Sequence, residues 1–156
     1  MIGRILIVEP DPKTAQELLV LFQSADERFE GGRYEIEMAT CVSQAVELAQ
    51  TISFDCIIMD VELPEMKGYE AIGLVRTTNK LPPIILTADN NTPETEAKVR
   101  EQDVFYYHIR AFGPDELKLA VRSIFEKLPE RERVRKIDTA VAKPVALKQL
   151  RLSRAN

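Results

Sequence analysis

Short apolar segments alternate with amphipathic segments along most of the chain, and this alternation limits the fold more than any other feature. Segments with strand character lie at 4–8, 34–39, 56–59, 84–86 and 104–109, and each is followed by a helical pattern. The pattern predicts an α/β fold, a doubly wound five-stranded parallel sheet with helices on both faces. Right-handed crossovers leave few topologies, of which the flavodoxin-like strand order 2-1-3-4-5 is the commonest.

Local signals place the helix boundaries. Asp11 followed by Pro12 predicts an N-cap and the first position of helix one. Ser43 is expected to cap helix two in the same way. Helix three is predicted over 69–78, and a Thr-Pro pair predicts helix four over 92–102.

The composition indicates a globular chain without a membrane anchor. Hydrophobic residues make up 45% of the 156 residues, and no apolar run approaches the roughly 20 residues of a membrane span. The N-terminus lacks the pattern of a secretory signal, and two cysteines suggest neither a disulfide framework nor a metal site. We therefore expect a protein of the reducing cytoplasm.

Charge is distributed unevenly and divides the chain. Residues 129–156 carry eight Lys and Arg against three Asp and Glu, whereas residues 1–128 carry 13 against 22. The alternation also stops there, so we expect a domain over 1–128 and a basic C-terminal tail or linker over 129–156. The acidic domain predicts no direct nucleic-acid binding. The tail either contacts an acidic partner or nucleic acid or is simply solvated, and it is too short for a recognised output domain.

Polar side chains follow four of the predicted strands where each strand ends. They are Glu9 with Asp11, then Asp60, then Thr87, then Arg110. Carboxyl ends of parallel strands meet in one crevice, although a lone strand-ending Asp also caps ordinary loops. A flavin phosphate needs a donor-rich loop after strand one, and the carboxylates there suit Mg²⁺ instead.

These residues stand in a familiar order and spacing. The apolar start before Glu9, the DxxxPxMxG motif over 60–68, the Thr87-Ala88 pair and the helix start after Phe112 resemble the receiver domain of two-component response regulators. The resemblance covers about residues 3–127 and implies a CheY-like fold.

The resemblance also implies roles for the crevice residues. Asp60 would accept a phosphoryl group from the phosphohistidine of a histidine kinase or phosphotransfer protein. Thr87 and Arg110 would contact that group, and Tyr107 would be the aromatic switch. Tyr106 and Tyr107 alternate faces, so we expect one to pack and the other to lie toward the crevice or helix four.

Mg²⁺ is the cofactor that the resemblance implies, held by Glu9, Asp60, Asp11 and the backbone carbonyl of Glu62. Two departures weaken this site. Pro10 stands where the family carries its second acid. Arg110-Ala111 replaces the family's Lys-Pro, an exchange of a compact charge for a planar fork, and without proline we expect that peptide bond to be trans.

The resemblance therefore implies a signalling receiver, not an enzyme beyond self-dephosphorylation. Its output would be protein contact with a downstream partner, or a homodimer through the face formed by helix four, strand five and helix five. The alternative is a phosphorylation-independent pseudo-receiver acting as an interaction module. A hydrolase resembling the haloacid dehalogenase-like phosphatases is disfavoured, because the D-x-E of Asp60 and Glu62 lies in mid-chain and is followed by Leu-Pro.

Overall fold

The computed structural model describes residues 2–24, 27–29, 32–76 and 82–127. The predicted tail over 129–156 lies outside the described residues. Within those ranges, no helix has both the length and the apolar character needed to cross a bilayer.

Six strands and five helices alternate along the described chain. The strands are β1 (Ile2–Val8), β2 (Arg28–Phe29), β3 (Gly32–Ala39), β4 (Cys56–Asp60), β5 (Ile84–Ala88) and β6 (Tyr106–Ile109). The helices are α1 (Pro12–Gln23), α2 (Val42–Thr51), α3 (Gly68–Val75), α4 (Pro93–Arg100) and α5 (Asp115–Glu126), with a 3₁₀ turn at Arg110–Phe112.

The strand order is β2-β3-β1-β4-β5-β6. The five longer strands are parallel, and counted among themselves they have the predicted order 2-1-3-4-5, so the predicted fold class is confirmed. The two-residue β2 was not predicted. It pairs with β3 in antiparallel fashion at the outer edge of the sheet.

Helices cover both faces of the sheet, so the central strands are buried on both sides. Ile5 and Ile7 face the layer made by α1 and α5, whereas Leu6 and Val8 face α2, α3 and α4. All four side chains are 0% exposed. Such strands read as continuous apolar runs, which is why the pattern predicts a parallel sheet.

The two predicted N-caps have different outcomes. Asp11 caps α1 as predicted, since its Oδ2 accepts a hydrogen bond from the backbone N–H of Thr14 at 2.9 Å. The prediction that Ser43 caps α2 is wrong, because that helix begins at Val42. Glu65, in the loop after β4, takes the capping role by accepting from the backbone N–H groups of Val42 and Ser43 at 2.8 and 3.1 Å. Hydrogen bonds from the Ser43 hydroxyl and the Val42 backbone lower the pKa of Glu65.

Several predicted boundaries shift by a few residues. β4 and β5 run further than predicted, to Asp60 and Ala88, so Asp60 and Thr87 are paired within the sheet. β6 begins at Tyr106 and α4 ends at Arg100. Helix α3 ends at Val75, and the last two residues of its predicted span, 77 and 78, lie outside the described residues.

Candidate functional site

The carboxyl edge of the parallel strands forms a cleft of about 410 Å³. Asp60 ends β4 and is 4% exposed, and Thr87, its partner on β5, is 1% exposed. Glu9 follows β1 and is 2% exposed, and Arg110 follows β6. The predicted residues therefore come together because neighbouring parallel strands end at one edge.

Arg110 joins the cleft residues through its guanidinium. Its Nη2 donates to Asp60 Oδ2 at 2.7 Å, and its Nη1 donates to Thr87 Oγ1 at 3.0 Å. The same Nη1 lies 3.4 Å from Glu9 Oε1. The Nε donates to Asp89 Oδ1 at 2.7 Å, a contact that the sequence did not predict. One planar cation thus serves four oxygen-bearing side chains.

The carboxylate of Asp60 is held from two sides. Its Oδ1 accepts a hydrogen bond from the backbone N–H of Glu62 at 2.7 Å, while Arg110 holds Oδ2. The loop closes tightly behind it, because a Cβ on Gly68 would lie 2.2 Å from the backbone oxygen of Asp60. Only glycine fits at this point of the DxxxPxMxG motif. The side chain of Glu62 is paired instead with Lys67 Nζ at 2.6 Å.

Glu9 lies beside Asp60 and titrates at unusually high pH. Burial raises the pKa of Glu9 from 4.5 to about 7; a hydrogen bond from the backbone N–H of Asp11 lowers it, and the neighbouring Asp60 raises it again. The Arg110 guanidinium lies 2.7 Å from Asp60 and 3.4 Å from Glu9, so one cation offsets the negative charge of both side chains.

Residues 5–122, which include all four of these cleft residues, match the family of response regulator receiver domains. The chain belongs to this family. It is thus a receiver domain of two-component signalling.

Curated relatives match this chain over most of its length. The transcriptional regulatory protein CusR of Escherichia coli K12 is 28% identical over 124 residues, which cover 80% of this chain and 52% of CusR. The regulatory protein AtoC of the same strain is 28% identical over 141 residues, covering 90% of this chain and 29% of AtoC. The chain therefore spans about half or less of the length of these curated relatives.

Solved receiver structures share the fold. The chemotaxis response regulator CheY4 of Vibrio cholerae has a TM-score of 0.67 and 25% identity, covering 80% of this chain and 99% of CheY4. The response regulator TrrA of Thermotoga maritima, solved in complex with Mg²⁺ and BeF, has a TM-score of 0.64 and 28% identity, covering 78% and 98%. Both matches span nearly the whole of the neighbouring structure.

The oxygen ligands of this receiver fit Mg²⁺ only in part. The carboxylate of Asp11 is turned toward Thr14, whose backbone N–H and hydroxyl both donate to it, and Pro10 offers no ligand. In the described part of the chain no group of three or more His, Cys, Asp or Glu residues is placed to hold a metal ion. Two carboxylates, Glu9 and Asp60, still face the cleft, and one or two carboxylates are what Mg²⁺ usually takes.

The two tyrosines of β6 lie on opposite faces, as predicted. Tyr107 packs on the α2–α3–α4 side, and its hydroxyl donates to Asn91 Oδ1 at 3.1 Å, at the entrance to α4. Tyr106 packs on the α1–α5 side, where its hydroxyl donates to Glu116 at 2.7 Å. Burial and that hydrogen bond raise the pKa of Tyr106 to about 12. The hydroxyl of Tyr107 is thus held at the α4 side.

The trans geometry expected at Arg110-Ala111 is confirmed, since the described chain contains no cis peptide bond. His108 lies within β6 and is buried. It is 2% exposed, burial lowers its pKa, and its Nδ1 has no hydrogen-bond partner among the residues that the structure describes.

Two cations of α5 are occupied within the domain. Lys118 Nζ and Arg122 Nη2 lie 3.1 and 3.6 Å from the carboxylate of the buried Glu27, next to β2. Two large apolar side chains are exposed nearby in the sequence, Phe112 at the end of the 3₁₀ turn and Leu119 in α5, at 73% and 60%.

Asp89 is the one contact of Arg110 that sequence reasoning missed. It directly follows the Thr87-Ala88 pair, in a loop where an exposed acid carries no periodic signal. The available signal is chemical. An arginine at the end of β6 brings an Nε–H that a lysine lacks, and this extra donor calls for an acceptor nearby.

Proposed function

We propose that this receiver accepts a phosphoryl group on Asp60 from the phosphohistidine of a histidine kinase or phosphotransfer protein. The observation that supports the proposal is the position of the Asp60 carboxylate at the cleft. It accepts hydrogen bonds from the Glu62 backbone N–H and from the Arg110 guanidinium. Thr87 adds a hydroxyl 3.0 Å from the same guanidinium.

In the proposed reaction an oxygen of Asp60 attacks phosphorus. A bond forms between that oxygen and phosphorus while the bond from phosphorus to the donor imidazole nitrogen breaks, and the imidazole leaves with the electron pair. Charge is spread over the three phosphoryl oxygens in the transition state. Arg110 and Thr87 are the donors placed to stabilise that charge, so positioning and electrostatics carry the catalysis. Water reverses the modification by attacking phosphorus while the bond from phosphorus to the Asp60 oxygen breaks, which regenerates the carboxylate and releases inorganic phosphate. We propose no enzymatic activity beyond this self-dephosphorylation.

Mg²⁺ is proposed as a weakly held partner of the site. Glu9 and Asp60 would hold it with their carboxylates and Glu62 with its backbone carbonyl. When bound, the ion supplies positive charge against the phosphoryl oxygens. The TrrA structure, whose sequence is 28% identical to this chain, contains Mg²⁺. Pro10 brings no side-chain ligand and the Asp11 carboxylate is engaged by Thr14, and both observations support a lower affinity here.

The output is proposed to be protein contact through the face formed by α4, β6 and α5. Exposed Phe112 and Leu119 provide apolar surface near this face for a downstream protein or a second copy of the chain. Tyr107 is proposed as the switch, because it packs on the α2–α3–α4 side of the sheet and its hydroxyl donates to Asn91, just before α4. We further propose a cytoplasmic protein in which residues 129–156 follow the domain as a basic tail or linker, without direct nucleic-acid binding by the domain.

The proposal is tested by incubating the protein with acetyl phosphate, with and without Mg²⁺, and measuring its intact mass. We expect a gain of one phosphoryl group in the wild type and none in Asp60→Asn. Asp115→Asn, at an exposed acid of α5, serves as the matched control and should keep the gain. No gain in the wild type, or a gain retained in Asp60→Asn, would contradict the proposal.

A phosphorylation-independent pseudo-receiver is the second candidate. The observation in its favour is that Arg110 already neutralises Asp60 and contacts Glu9, so the cleft is electrostatically satisfied as it stands. In that case Asp60→Asn would leave binding to the output partner unchanged, whereas a working receiver would lose its response to the phosphodonor.

A further inference from the structure

Arg110 makes its contacts through all three guanidinium nitrogens. Nη1 and Nη2 contact Thr87, Glu9 and Asp60 inside the cleft. Nε alone points to a residue at the rim, Asp89, at 2.7 Å. The side chain of Asp89 is 78% exposed.

The orientation of a guanidinium matters in a way that the orientation of an ammonium does not. The group is planar and its donors point in fixed directions, whereas an ammonium is a compact charge with three rotatable donors. An acceptor at Nε restricts rotation of the plane about the Cδ–Nε bond. With Nε held by Asp89, the two Nη groups are directed at Asp60 and Thr87. A lysine at position 110 has no atom equivalent to Nε and gains nothing comparable from Asp89.

The charge balance around Arg110 agrees with this geometry. Burial by itself lowers the pKa of Arg110. The hydrogen bond to Asp89 is the largest contribution in the opposite direction, ahead of the one to Asp60, and the pKa is raised overall. The exposed acid at the rim therefore favours the charged guanidinium together with the buried acid.

We propose that Asp89 is a positioning residue, which orients the guanidinium of Arg110 over Asp60 and so promotes phosphoryl acceptance without touching the phosphoryl group. This inference rests on the proposed function of Asp60. The proposed role links Arg110, which stands where the family has lysine, to Asp89, which lies two residues after Thr87.

A double-mutant cycle tests the inference. The initial rate of labelling by acetyl phosphate is measured for Asp89→Ala in the wild-type background and in an Arg110→Lys background. Glu94→Ala, which removes the same charge from an exposed residue of α4, is the control for general electrostatics. Asp89→Glu tests whether an acid alone restores the effect. Independently of labelling, the ¹⁵N NMR signal of the Arg110 Nε–H and its exchange with water are recorded for the unphosphorylated proteins.

We expect Asp89→Ala to slow labelling about threefold when residue 110 is arginine, the size typical of an exposed ion pair, and to have little effect in Arg110→Lys. The Nε–H signal should exchange faster in Asp89→Ala, remain unchanged in Glu94→Ala and recover in Asp89→Glu. Equal slowing in both backgrounds, or an unchanged Nε–H signal in Asp89→Ala, would overturn the inference. If no variant is labelled while the Nε–H signal responds as expected, the proposed function fails and the contact between Asp89 and Arg110 stands.

Discussion

Replacement of Glu9 by glutamine should make the receiver more stable at neutral and alkaline pH. Glu9 is 2% exposed, adjoins Asp60, and has a pKa raised from 4.5 to about 7, chiefly by burial. Its Oε2 accepts from the backbone N–H of Asp11 at 3.0 Å, a hydrogen bond that the amide oxygen of glutamine can keep. Glu9→Gln therefore removes the ionisable group and keeps the hydrogen bond from Asp11, while the amide nitrogen replaces the oxygen that lies 3.4 Å from Arg110 Nη1.

The sign of the effect follows from linkage between protonation and folding. Because the pKa of Glu9 is higher in the folded than in the unfolded protein, the native state binds this proton more tightly. Its contribution to stability is fully present below pH 4.5, falls as pH rises toward 7, and is constant above that. At 1.36 kcal/mol for each pH unit, the fall between pH 5.5 and 7 is about 2 kcal/mol. Glutamine does not titrate, so the stability of the variant relative to wild type should rise by that amount.

Urea unfolding followed by far-UV circular dichroism, from pH 5.5 to 8.5, measures this difference and stays above the isoelectric point of 5.2. His108, whose pKa is lowered by burial, is present in both proteins, so its titration cancels in the difference. Glu17→Gln, at an exposed position of α1, is the matched control. A Glu9→Gln minus wild-type difference that does not change with pH would refute the raised pKa of Glu9 and the burial that causes it.

Three further substitutions test the loop and the metal ligands. Gly68→Ala should destabilise the fold by about 3 kcal/mol, because its Cβ would meet the Asp60 backbone oxygen. Gly73→Ala, where a Cβ meets nothing within 4 Å, should be neutral or stabilise α3 by up to about 1 kcal/mol; urea unfolding of both tests the contrast, and equal effects would refute it. Pro10→Asp should raise Mg²⁺ affinity several-fold in calorimetric titration by restoring a carboxylate; an unchanged affinity would show that residue 10 does not face the ion.

The fold was predictable because its signals are local and repeated. Ile57 and Ile58 lie on opposite faces of β4 and are both buried, so the strand reads as an unbroken apolar run. Asp60 and Thr87 end such runs, and parallel strands place them together. Asp11 caps α1 through Thr14, three residues away, which is a short-range pattern that a sequence displays directly.

The features that were missed depend on contacts between distant segments. Glu65 accepts from the N–H groups of Val42 and Ser43, which are 23 and 22 residues away in the chain. Nothing in the sequence around Ser43 indicates that a distant glutamate caps this helix. Asp89 contacts Arg110, which is 21 residues away in the chain. In an exposed loop the sequence pattern does not distinguish an acid that makes such a contact from one that does not. The β2 strand has two residues, too few for any period to be visible.

The central claim is that Asp60 itself carries the phosphoryl group, and its most direct test locates that group. Borohydride reduces an aspartyl phosphate to homoserine, so the protein is treated with acetyl phosphate, reduced, digested and mapped by tandem mass spectrometry. We predict homoserine at position 60 and unmodified carboxylates at the neighbouring Glu9 and Asp89. An unmodified residue 60, or a modification at one of those neighbours, would contradict the assignment of Asp60 as the phosphoacceptor.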